Sequence, residues 1–372
     1  MTVGIVGGGQ LGRMLALAGA PLGLDFLFLD RSADTPAARV APTLVGEFTD
    51  RKLLRALARG SEVITFDWEN ISLESLRALG RSAHIAPPLA ALAMSQDRIA
   101  EKKLFVKLGI PTTRYAPIDD ARSLERALKT IGLPGVLKTR RLGYDGKGQA
   151  VVHSREQAHR ALGSLGGVPL IYEEFIPFDD EVSIIGARNR HGEIAIYPLN
   201  RNLHREGILR LTRAPFGDRA LQRKAATFLR RVLEHYRYEG VLNIEFFVRR
   251  GKLLANETAP RVHNSGHWTI EGAVTSQFEN HLRAILGLPL GATTARAHVA
   301  MINLIGDMPS PADFLSVPDL HWHAYGKSPR PGRKLGHLTV LAARAAQRDA
   351  LARSLLRRID PASRVLSPSR RR

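Results

Sequence analysis

Apolar residues in the first hundred positions form short runs that alternate with segments of helical spacing. The apolar runs are residues 2–6, 26–29, 44–45 and 63–66, and residues 50–59 have the helical period. Strands that alternate with helices in this way indicate a parallel sheet. We therefore predict an α/β domain over residues 1–105, in which the last helix begins at Ser95 or Asp97.

In the middle of the chain the apolar positions alternate with a period of two, which predicts strands joined by hairpins. Residues 134–138 predict a strand that ends in a lysine, and residues 150–152 predict its return. The loop between them carries three glycines in six residues, Gly143, Gly146 and Gly148. Its N–H groups can close over phosphates, although an ordinary long hairpin has the same pattern.

A second hairpin carries two carboxylates that organise the chain. Residues 242–248 alternate as a half-buried strand, residues 250–252 are a turn signal, and residues 253–257 can return. A three-residue loop places Glu245 opposite Glu257, with Cβ atoms ~5 Å apart, where two carboxylates should repel. Mg²⁺, which prefers one or two carboxylates plus phosphate oxygens, would remove that repulsion. A solvated hairpin face is the alternative, and a two-residue loop would break the pairing.

Two polar segments have neither helical nor strand period, which is typical of binding loops. Residues 258–268 concentrate polar donors. Residues 327–337 place four cations around a Pro-Gly turn, which predicts an anion-binding loop or, on charge alone, a solvated basic turn. We predict that a middle domain spans residues 106–292 and that a small C-terminal domain spans residues 293–372, with a disordered arginine-rich tail.

A glycine motif follows the first strand, with Gly7, Gly9 and Gly12 in the order G-x-G-x-x-G. Such a turn lets the backbone approach a phosphate at a helix N-terminus. Asp30 lies where a dinucleotide site would have an acidic residue, although Arg13 would crowd a pyrophosphate and suits a single phosphate better. A glycine turn used for packing alone is the alternative.

Composition narrows the classes of function. The 372 residues include no cysteine and no apolar run long enough to span a membrane, so we expect a cytoplasmic protein without disulfides or thiolate metal sites. The net charge of +19 suggests a polyanionic partner. Because the arginines are spread along the chain and only 6% of residues are aromatic, we expect phosphorylated small molecules rather than nucleic acid.

Four segments resemble the ATP-grasp superfamily and, within it, the 5-(carboxyamino)imidazole ribonucleotide synthetases of purine biosynthesis. They are Gly9-Gln-Leu-Gly-Arg-Met14, Gly143-Tyr-Asp-Gly-Lys-Gly-Gln149, Asn256-Glu-Thr-Ala-Pro-Arg-Val-His-Asn-Ser-Gly-His-Trp268 and Arg330-Pro-Gly-Arg-Lys-Leu-Gly-His337. The third segment is highly specific and the first is not. The resemblance implies an α/β ATP-grasp fold with a Rossmann-like N-terminal (pre-ATP-grasp) domain and a small C-terminal domain.

The resemblance also implies a role for each matching residue. Glu245 and Glu257 would bind Mg²⁺, with Mn²⁺ as an alternative. ATP would contact Arg98, Lys138, Gly143, Tyr144, Asp145, Gly146, Lys147, Gly148, Gln149, Glu173, Glu174, Phe175, Ile176, Glu181, His204, Asn256 and Glu257. The ribonucleotide would contact Gln10, Leu11, Glu69, Tyr144, Arg261, His263, Lys327, Arg330, Arg333 and Lys334. The catalytic residues would be Asp145, Lys147, Lys327 and Arg333.

The sequence departs from the family pattern at two positions. Lys147 stands where arginine is common, which keeps the charge of the loop, and Asp67 stands where glutamate is more frequent, which leaves its role open. Both Asp67 and Glu69 follow a strand at the edge where open sheets bind ligands, and Glu69 is the better site candidate.

The implied reaction uses ATP to phosphorylate bicarbonate to carboxyphosphate, which carboxylates the exocyclic amine of 5-aminoimidazole ribonucleotide. The enzyme would bind neither nucleic acid nor a membrane, and we expect a homodimer. The alternatives are another ATP-grasp carboxylase or formyltransferase, a basic nucleic-acid-binding α/β protein, and an NAD-linked dehydrogenase that rests on the glycine motif and Asp30 alone.

Overall fold

The computed structural model describes residues 1–80, 83–143 and 148–360. Its N-terminal part is a parallel sheet with helices, as predicted. The strands are β1 (Thr2–Val6), β2 (Asp25–Asp30), β3 (Thr43–Val45) and β4 (Val63–Phe66), and the helices are α1 (Gln10–Gly19), α2 (Arg51–Arg59), α3 (Leu73–Arg77) and α4 (Leu89–Ser95). The strand order is β3-β2-β1-β4, so the carboxyl ends of β1 and β4 meet at one edge of the sheet.

Helix α5 (Arg98–Lys107) leads out of this sheet, and an aspartate fixes its start. The Asp97 carboxylate accepts hydrogen bonds from the N–H groups of Ile99 (2.9 Å) and Ala100 (3.4 Å). Of the two predicted caps, Asp97 is therefore confirmed and Ser95 is wrong, because Ser95 is the last residue of α4. Asp97 also accepts a hydrogen bond from Arg140 Nη2 (2.7 Å), which ties the helix start to the next sheet.

The second sheet has four antiparallel strands. Its elements are β5 (Tyr115–Ile118), α6 (Ala121–Ile131), β6 (Gly135–Thr139), β7 (Gln149–Val152), α7 (Arg155–Leu165) and β8 (Leu170–Glu174). The order is β5-β8-β6-β7, with Lys138 paired to Gln149. The glycine-rich segment therefore joins two neighbouring antiparallel strands, as predicted, although residues 144–147 lie outside the described part of the chain.

The third sheet has nine strands within the described residues. Its strands are β9 (Asp180–Arg188), β10 (Ile194–Ile196), β11 (Asn200–Arg205), β12 (Ile208–Ala214), β13 (Gly240–Arg249), β14 (Lys252–Ala259), β15 (His298–Ile305), β16 (Leu320–Ala324) and β17 (Lys334–Ala342). The accompanying helices are α8 (Arg219–His235), α9 (Thr269–Gly272), α10 (Gln277–Ile285) and α11 (Ala345–Ile359). The order is β14-β13-β9-β11-β12-β15-β17-β16, with β10 on β9. Strands after residue 293 thus extend the sheet of the middle segment, and the domain boundaries themselves stay a prediction.

The β13–β14 hairpin pairs Glu245 with Glu257, but not for the predicted reason. The predicted three-residue loop is wrong: the turn consists of Arg250 and Gly251, which have φ values of 49° and 68°. Positive φ at both positions is typical of a tight two-residue hairpin turn. A β-bulge at Asn256 then inserts one extra residue into β14 and restores the facing carboxylates.

A buried histidine joins the N-terminal sheet to the large sheet. His281, on α10, accepts the N–H of Val241 at Nδ1 (3.1 Å), so its Nε2 carries the hydrogen and donates to Thr65 Oγ1 (2.9 Å). Burial lowers the pKa of His281 to about 3, which keeps the ring neutral. The edge of β4 is therefore held in a fixed position beside β13.

No helix in the three described ranges combines the length and the apolarity that crossing a membrane would require.

Candidate active site

Residues from all three sheets line one cavity of about 1130 Å³. The predicted residues that line it are Gln10, Leu11, Glu69, Arg98, Lys138, Gly143, Gln149, Glu173, Glu174, Phe175, Ile176, Glu181, His204, Glu245, Asn256, Glu257, Arg261, His263, Lys327, Arg330, Arg333 and Lys334. Among the predicted residues that the structure describes, Gly148 alone is not in the lining. Tyr144, Asp145, Gly146 and Lys147 lie outside the described residues.

The two facing carboxylates have pKa values shifted in opposite directions. Burial, reinforced by the charge of Glu257, raises the pKa of Glu245 although His204 opposes the shift. Glu257 is only partly buried, with 40% of its side chain exposed; this partial burial disfavours its charged form, but the cations of Arg98 and Lys138 outweigh that effect and lower its pKa. Arg98 Nη1 lies 2.9 Å from Glu257 Oε2. Glu257 is therefore an anion at neutral pH, with a cation already on one of its oxygens.

The residues around this pair fit a hard divalent cation. Asn256 Oδ1 is buried and has no hydrogen-bond partner among the described residues, and it adjoins the two carboxylates on the bulge. Within the described residues, no group of three or more His, Asp or Glu side chains forms a metal site by itself. A cation held here would take further oxygens from a phosphate, as Mg²⁺ commonly does.

Glu173 forms a buried cluster with two lysines. Its carboxylate belongs to the cavity lining but is only 2% exposed. Its Oε1 lies 3.2 Å from Lys138 Nζ, and its Oε2 lies 3.3 Å from Lys102 Nζ and accepts a hydrogen bond from Thr113 Oγ1 (3.1 Å). Burial opposes ionisation, but the two lysines lower the pKa of Glu173 strongly. This carboxylate therefore holds the two lysines in place, and its contact with ATP stays a prediction.

Two of the residues predicted to contact ATP form an ion pair. His204 Nδ1 lies 3.3 Å from Glu181 Oε2. Although burial opposes protonation, Glu181 and Glu245 raise the pKa of His204 to about 9, so the ring is a cation at neutral pH. Nearby, Glu174 accepts a hydrogen bond from Arg114 Nε (3.0 Å). The side chains of Glu174 and Glu181 are thus both paired with cations.

Elsewhere in the cavity lining, contacts join parts of the chain that are far apart in sequence. Arg261 Nε donates to Glu69 Oε2, and Lys327 Nζ donates to Gln10 Oε1. Burial, followed by the charge of Arg333, lowers the pKa of Lys327 to about 8. The β1–α1 turn, the loop after β4 and the basic turn therefore form one wall of the cavity.

The polar loop after β14 is held by buried hydrogen bonds. His263 Nδ1 accepts the N–H of Ser265 (3.2 Å), so Nε2 carries the hydrogen and lies 3.5 Å from Glu245 Oε1. Gln277 binds both the N–H and the C=O of His263 (3.0 and 2.6 Å), and Ser183 Oγ donates to Ser265 Oγ (2.8 Å). Burial and the charge of Arg261 lower the pKa of His263 well below its usual range. His263 is therefore a neutral donor fixed beside the carboxylate pair.

The glycine motif binds carboxylates of the protein itself. The carboxylate of Asp67 lies in the turn, where Gly12 N donates to its Oδ2 at 3.4 Å. A Cβ atom at Gly7 would lie 1.9 Å from Asp67 Oδ1, and one at Gly9 would lie 2.7 Å from Oδ2. Gly8 N donates to Asp30 Oδ2 (2.7 Å). These contacts favour the packing alternative, although Gly7 and Gly9 also line the cavity, and the carboxylate beside the helix N-terminus is that of Asp67.

Each of the three parts of the chain matches a known protein domain family. Residues 1–96 match the ribonucleotide synthetase preATP-grasp domain, residues 103–278 the ATP-grasp domain, and residues 299–351 the phosphoribosylaminoimidazole carboxylase C-terminal domain. The N5-carboxyaminoimidazole ribonucleotide synthase of Pseudomonas aeruginosa is 48% identical over 358 residues, which cover 94% of this chain and 99% of that protein. The chain belongs to the N5-carboxyaminoimidazole ribonucleotide synthase family.

Solved structures agree with this family assignment. The crystal structure of N5-carboxyaminoimidazole ribonucleotide synthetase from Thermus thermophilus has 51% identity and a TM-score of 0.92, over 96% of this chain and 98% of that one. The Aspergillus clavatus synthase in complex with ADP and 5-aminoimidazole ribonucleotide has 30% identity and a TM-score of 0.90, over 97% and 98%. The predicted family, its ATP-grasp fold and its class, that of ATP-dependent ligases, are confirmed.

Sequence reasoning missed several residues that build the site in this family member. Lys102 and Glu101 contact β14 from α5, and Tyr325 OH lies 2.8 Å from His337 Nδ1 and 3.2 Å from His267 Nδ1. The sequence did contain a signal for Lys102 and Glu101. They lie four and three positions after Arg98, and this spacing places three charges on one face of a helix. The tyrosine gave no such signal, because its partners lie on two other segments.

Proposed function

We propose that this chain uses ATP and bicarbonate to carboxylate the exocyclic amine of 5-aminoimidazole ribonucleotide, giving N5-carboxyaminoimidazole ribonucleotide in purine biosynthesis. One observation carries the proposal: a single cavity holds a facing carboxylate pair with Arg98 and Lys138 at one end and a basic turn at the other. The first end suits a nucleoside triphosphate with its cation, and the second suits a phosphorylated amine. The relatives named above carry this activity in their names.

We infer that ATP lies between the glycine-rich hairpin and the carboxylate pair. Arg98 and Lys138 would neutralise its phosphates, and the backbone of the loop from Gly143 to Gly148 would close over these phosphates. His204 and Glu181 would face the ribose, while the backbone of residues 174–176 would face the adenine. Glu245 and Glu257 would hold Mg²⁺, with Mn²⁺ as an alternative, and the metal would neutralise charge that develops on the phosphate oxygens.

The ribonucleotide would occupy the opposite end. Arg330, Arg333 and Lys334 would bind its phosphate, since guanidinium and ammonium groups match phosphate oxygens. Glu69, Arg261 and His263, together with Gln10, Leu11 and Tyr144, would surround the aminoimidazole ring and the incoming carboxyl group. Asp145, Lys147, Lys327 and Arg333 are the proposed catalytic residues, of which Asp145 and Lys147 lie outside the described residues.

Two transfers complete the proposed reaction. A bicarbonate oxygen attacks the γ-phosphorus of ATP, the bond to ADP breaks, and carboxyphosphate forms. The amine nitrogen of the ribonucleotide then takes the carboxyl group, directly or through CO₂, while inorganic phosphate leaves and the nitrogen loses a proton. Carboxyphosphate hydrolyses in water, so the cavity has to close around it. The described residues contribute cations and neutral donors at fixed positions, which is what phosphoryl transfer needs most.

The test is phosphate release in CO₂-stripped buffer with each substrate omitted in turn. Release should require bicarbonate and should rise when 5-aminoimidazole ribonucleotide is added, and the product should carry a new carbamate on the exocyclic nitrogen. Slow release with bicarbonate alone is expected, because carboxyphosphate can leak to water. Release that ignores the ribonucleotide, or a carboxyl group on a ring carbon, would instead indicate another ATP-grasp carboxylase.

We also infer that the protein works as a homodimer in the cytoplasm. The absence of cysteine from all 372 residues is compatible with a reducing compartment. Light scattering after size exclusion should give twice the chain mass of 40.9 kDa. A mass of 40.9 kDa at micromolar concentration would contradict the dimer without affecting the proposed chemistry.

A further inference from the structure

A fully buried lysine lies behind the carboxylate pair. Lys102 has no exposed surface. Its Nζ donates hydrogen bonds to Asn256 O (2.8 Å) and Ala255 O (3.3 Å), and it lies 3.3 Å from Glu173 Oε2. An ammonium group has three hydrogens to donate, and these three oxygens can take all of them. Lys102 is therefore satisfied entirely by the backbone of β14 and by one carboxylate.

The two carbonyls belong to the β-bulge that creates the carboxylate pair. Phe246 pairs with Ala255 and Glu245 pairs with Glu257, so Asn256 is the inserted residue. Without the bulge, Glu245 would face Asn256, and Glu257 would face Ile244. Side chains alternate between the two faces of a strand, so a shift of one residue would turn Glu257 to the opposite face. Both carboxylates share one face only because the bulge is present.

The same helix holds the bulge from both sides. Glu101, next to Lys102 on α5, accepts hydrogen bonds at Oε1 from the Thr258 N–H (2.5 Å) and hydroxyl (2.7 Å). Thr112 Oγ1 donates to Ala255 O (2.7 Å). Glu257 thus stands between an anchored carbonyl at residue 256 and an anchored amide at residue 258. Lys102 also reaches Lys138 through Glu173, which links the bulge to the strand that carries the glycine-rich hairpin.

We propose that Lys102 is a positioning residue that fixes the β-bulge at Asn256 and so holds Glu257 opposite Glu245 for the divalent cation. Lys102 itself is not among the residues that line the cavity. The proposal rests on the metal role proposed above for the two carboxylates. Supporting groups behind metal ligands commonly change metal affinity about 10- to 100-fold when they are removed.

The test compares Lys102→Met with Lys103→Met. Lys103 is the exposed neighbouring lysine on the same helix, so its substitution is the matched control. Methionine keeps most of the chain length and removes the charge and the three donors. Free Mn²⁺ is measured by electron paramagnetic resonance in the presence of a non-hydrolysable ATP analogue. Lys102→Met should weaken Mn²⁺ binding about 10- to 100-fold, while Lys103→Met should match the wild type. The Mg²⁺ concentration that half-saturates ATP cleavage should rise in parallel, with the ribonucleotide KM unchanged.

A second variant covers the case in which Lys102→Met does not fold. Thr112→Val removes the other hydrogen bond to Ala255 O without changing charge, and it should weaken Mn²⁺ binding in the same direction by a smaller factor. If Lys102→Met folds and binds Mn²⁺ as tightly as the wild type, the positioning role is overturned. If Lys102→Met does not fold, wild-type Mn²⁺ affinity in Thr112→Val has the same consequence. A wild-type protein that binds no Mn²⁺ with the analogue would instead remove the proposed metal site itself, so the two failures are distinguishable.

Discussion

Individual side chains in the cavity carry charges that their neighbours determine. Burial lowers the pKa of Lys327 to about 8, and the charge of Arg333 acts in the same direction. His204 is also buried, yet Glu181 and Glu245 raise its pKa to about 9. At pH 7 both groups are therefore cations, although an isolated histidine would be mostly neutral and an isolated lysine would keep its proton to a much higher pH. Both side chains therefore contribute positive charge to the cavity at neutral pH.

The first prediction concerns the metal carboxylate. Glu257→Gln should lose most Mg²⁺-dependent ATP turnover while the protein stays folded, because the substitution removes the charge of a proposed metal ligand from a side chain that is 40% exposed. Glu234→Gln, on the surface of α8, is the control. Turnover at saturating Mg²⁺ and the unfolding transition are measured for each variant. Equal turnover in Glu257→Gln and the wild type would mean that this face of the hairpin is only solvated.

The second prediction follows from the lowered pKa of Lys327. The folded value of about 8 lies below the ordinary 10.5, so the cation is present below pH 8 and is lost above it. If the cation binds the ribonucleotide, kcat/KM for that substrate should fall about tenfold per pH unit above 8. Lys327→Arg should abolish this fall because a guanidinium stays protonated. The profiles are recorded at saturating ATP and bicarbonate, and an identical fall in the arginine variant would assign the pKa to another group.

At the scale of elements, the sequence predicted strands well and their exact pairing poorly. The alternation of residues 242–248 and the run of residues 63–66 correspond to β13 and β4. The bulge at Asn256 could not be predicted, because the groups that hold it, Lys102 and Glu101, lie about 150 positions earlier on another element. Local periodicity carries no information about such a partner. The correct pairing of Glu245 with Glu257 was reached through a wrong loop length, which the bulge compensates.

The β1–α1 turn gives a prediction at this scale. Gly9→Ala should destabilise the protein by about 1–3 kcal/mol, because the new Cβ would lie 2.7 Å from Asp67 Oδ2. Backbone strain does not explain the effect, since Gly9 has a φ of −72°. Urea unfolding is measured for Gly9→Ala alone and in an Asp67→Ala background, where the cost should shrink. Gly163→Ala, in α7 with open space around it, should not destabilise, and an equal cost of Gly9→Ala in both backgrounds would contradict the contact with Asp67.

At the scale of the whole molecule, the site depends on contacts between distant segments that no local pattern reveals. Motifs placed the candidate residues at strand ends and loops, and the resemblance supplied their roles. The contacts of Gln10 with Lys327 and of Glu69 with Arg261 were not predictable, nor was the filling of the glycine turn by Asp67. The first two contacts depend on how the N-terminal sheet packs against the large sheet, and that packing is fixed by residues such as His281 and Thr65. The third lies within the N-terminal domain, where the β1–α1 turn meets the loop after β4.

This arrangement predicts that the binding of each of the two substrates can be weakened without affecting the binding of the other. Arg333 lies on the basic turn between β16 and β17, whereas Arg98 and Lys138 lie on α5 and β6. Arg333→Ala should therefore raise KM for 5-aminoimidazole ribonucleotide roughly 10- to 100-fold, as expected for a lost charged hydrogen bond, and should leave KM for ATP nearly unchanged. Arg353→Ala, on the exposed side of α11, is the control for the loss of one positive charge. A rise confined to the ATP requirement would mean that the basic turn binds the nucleotide, and the two ends of the cavity would then have to be exchanged.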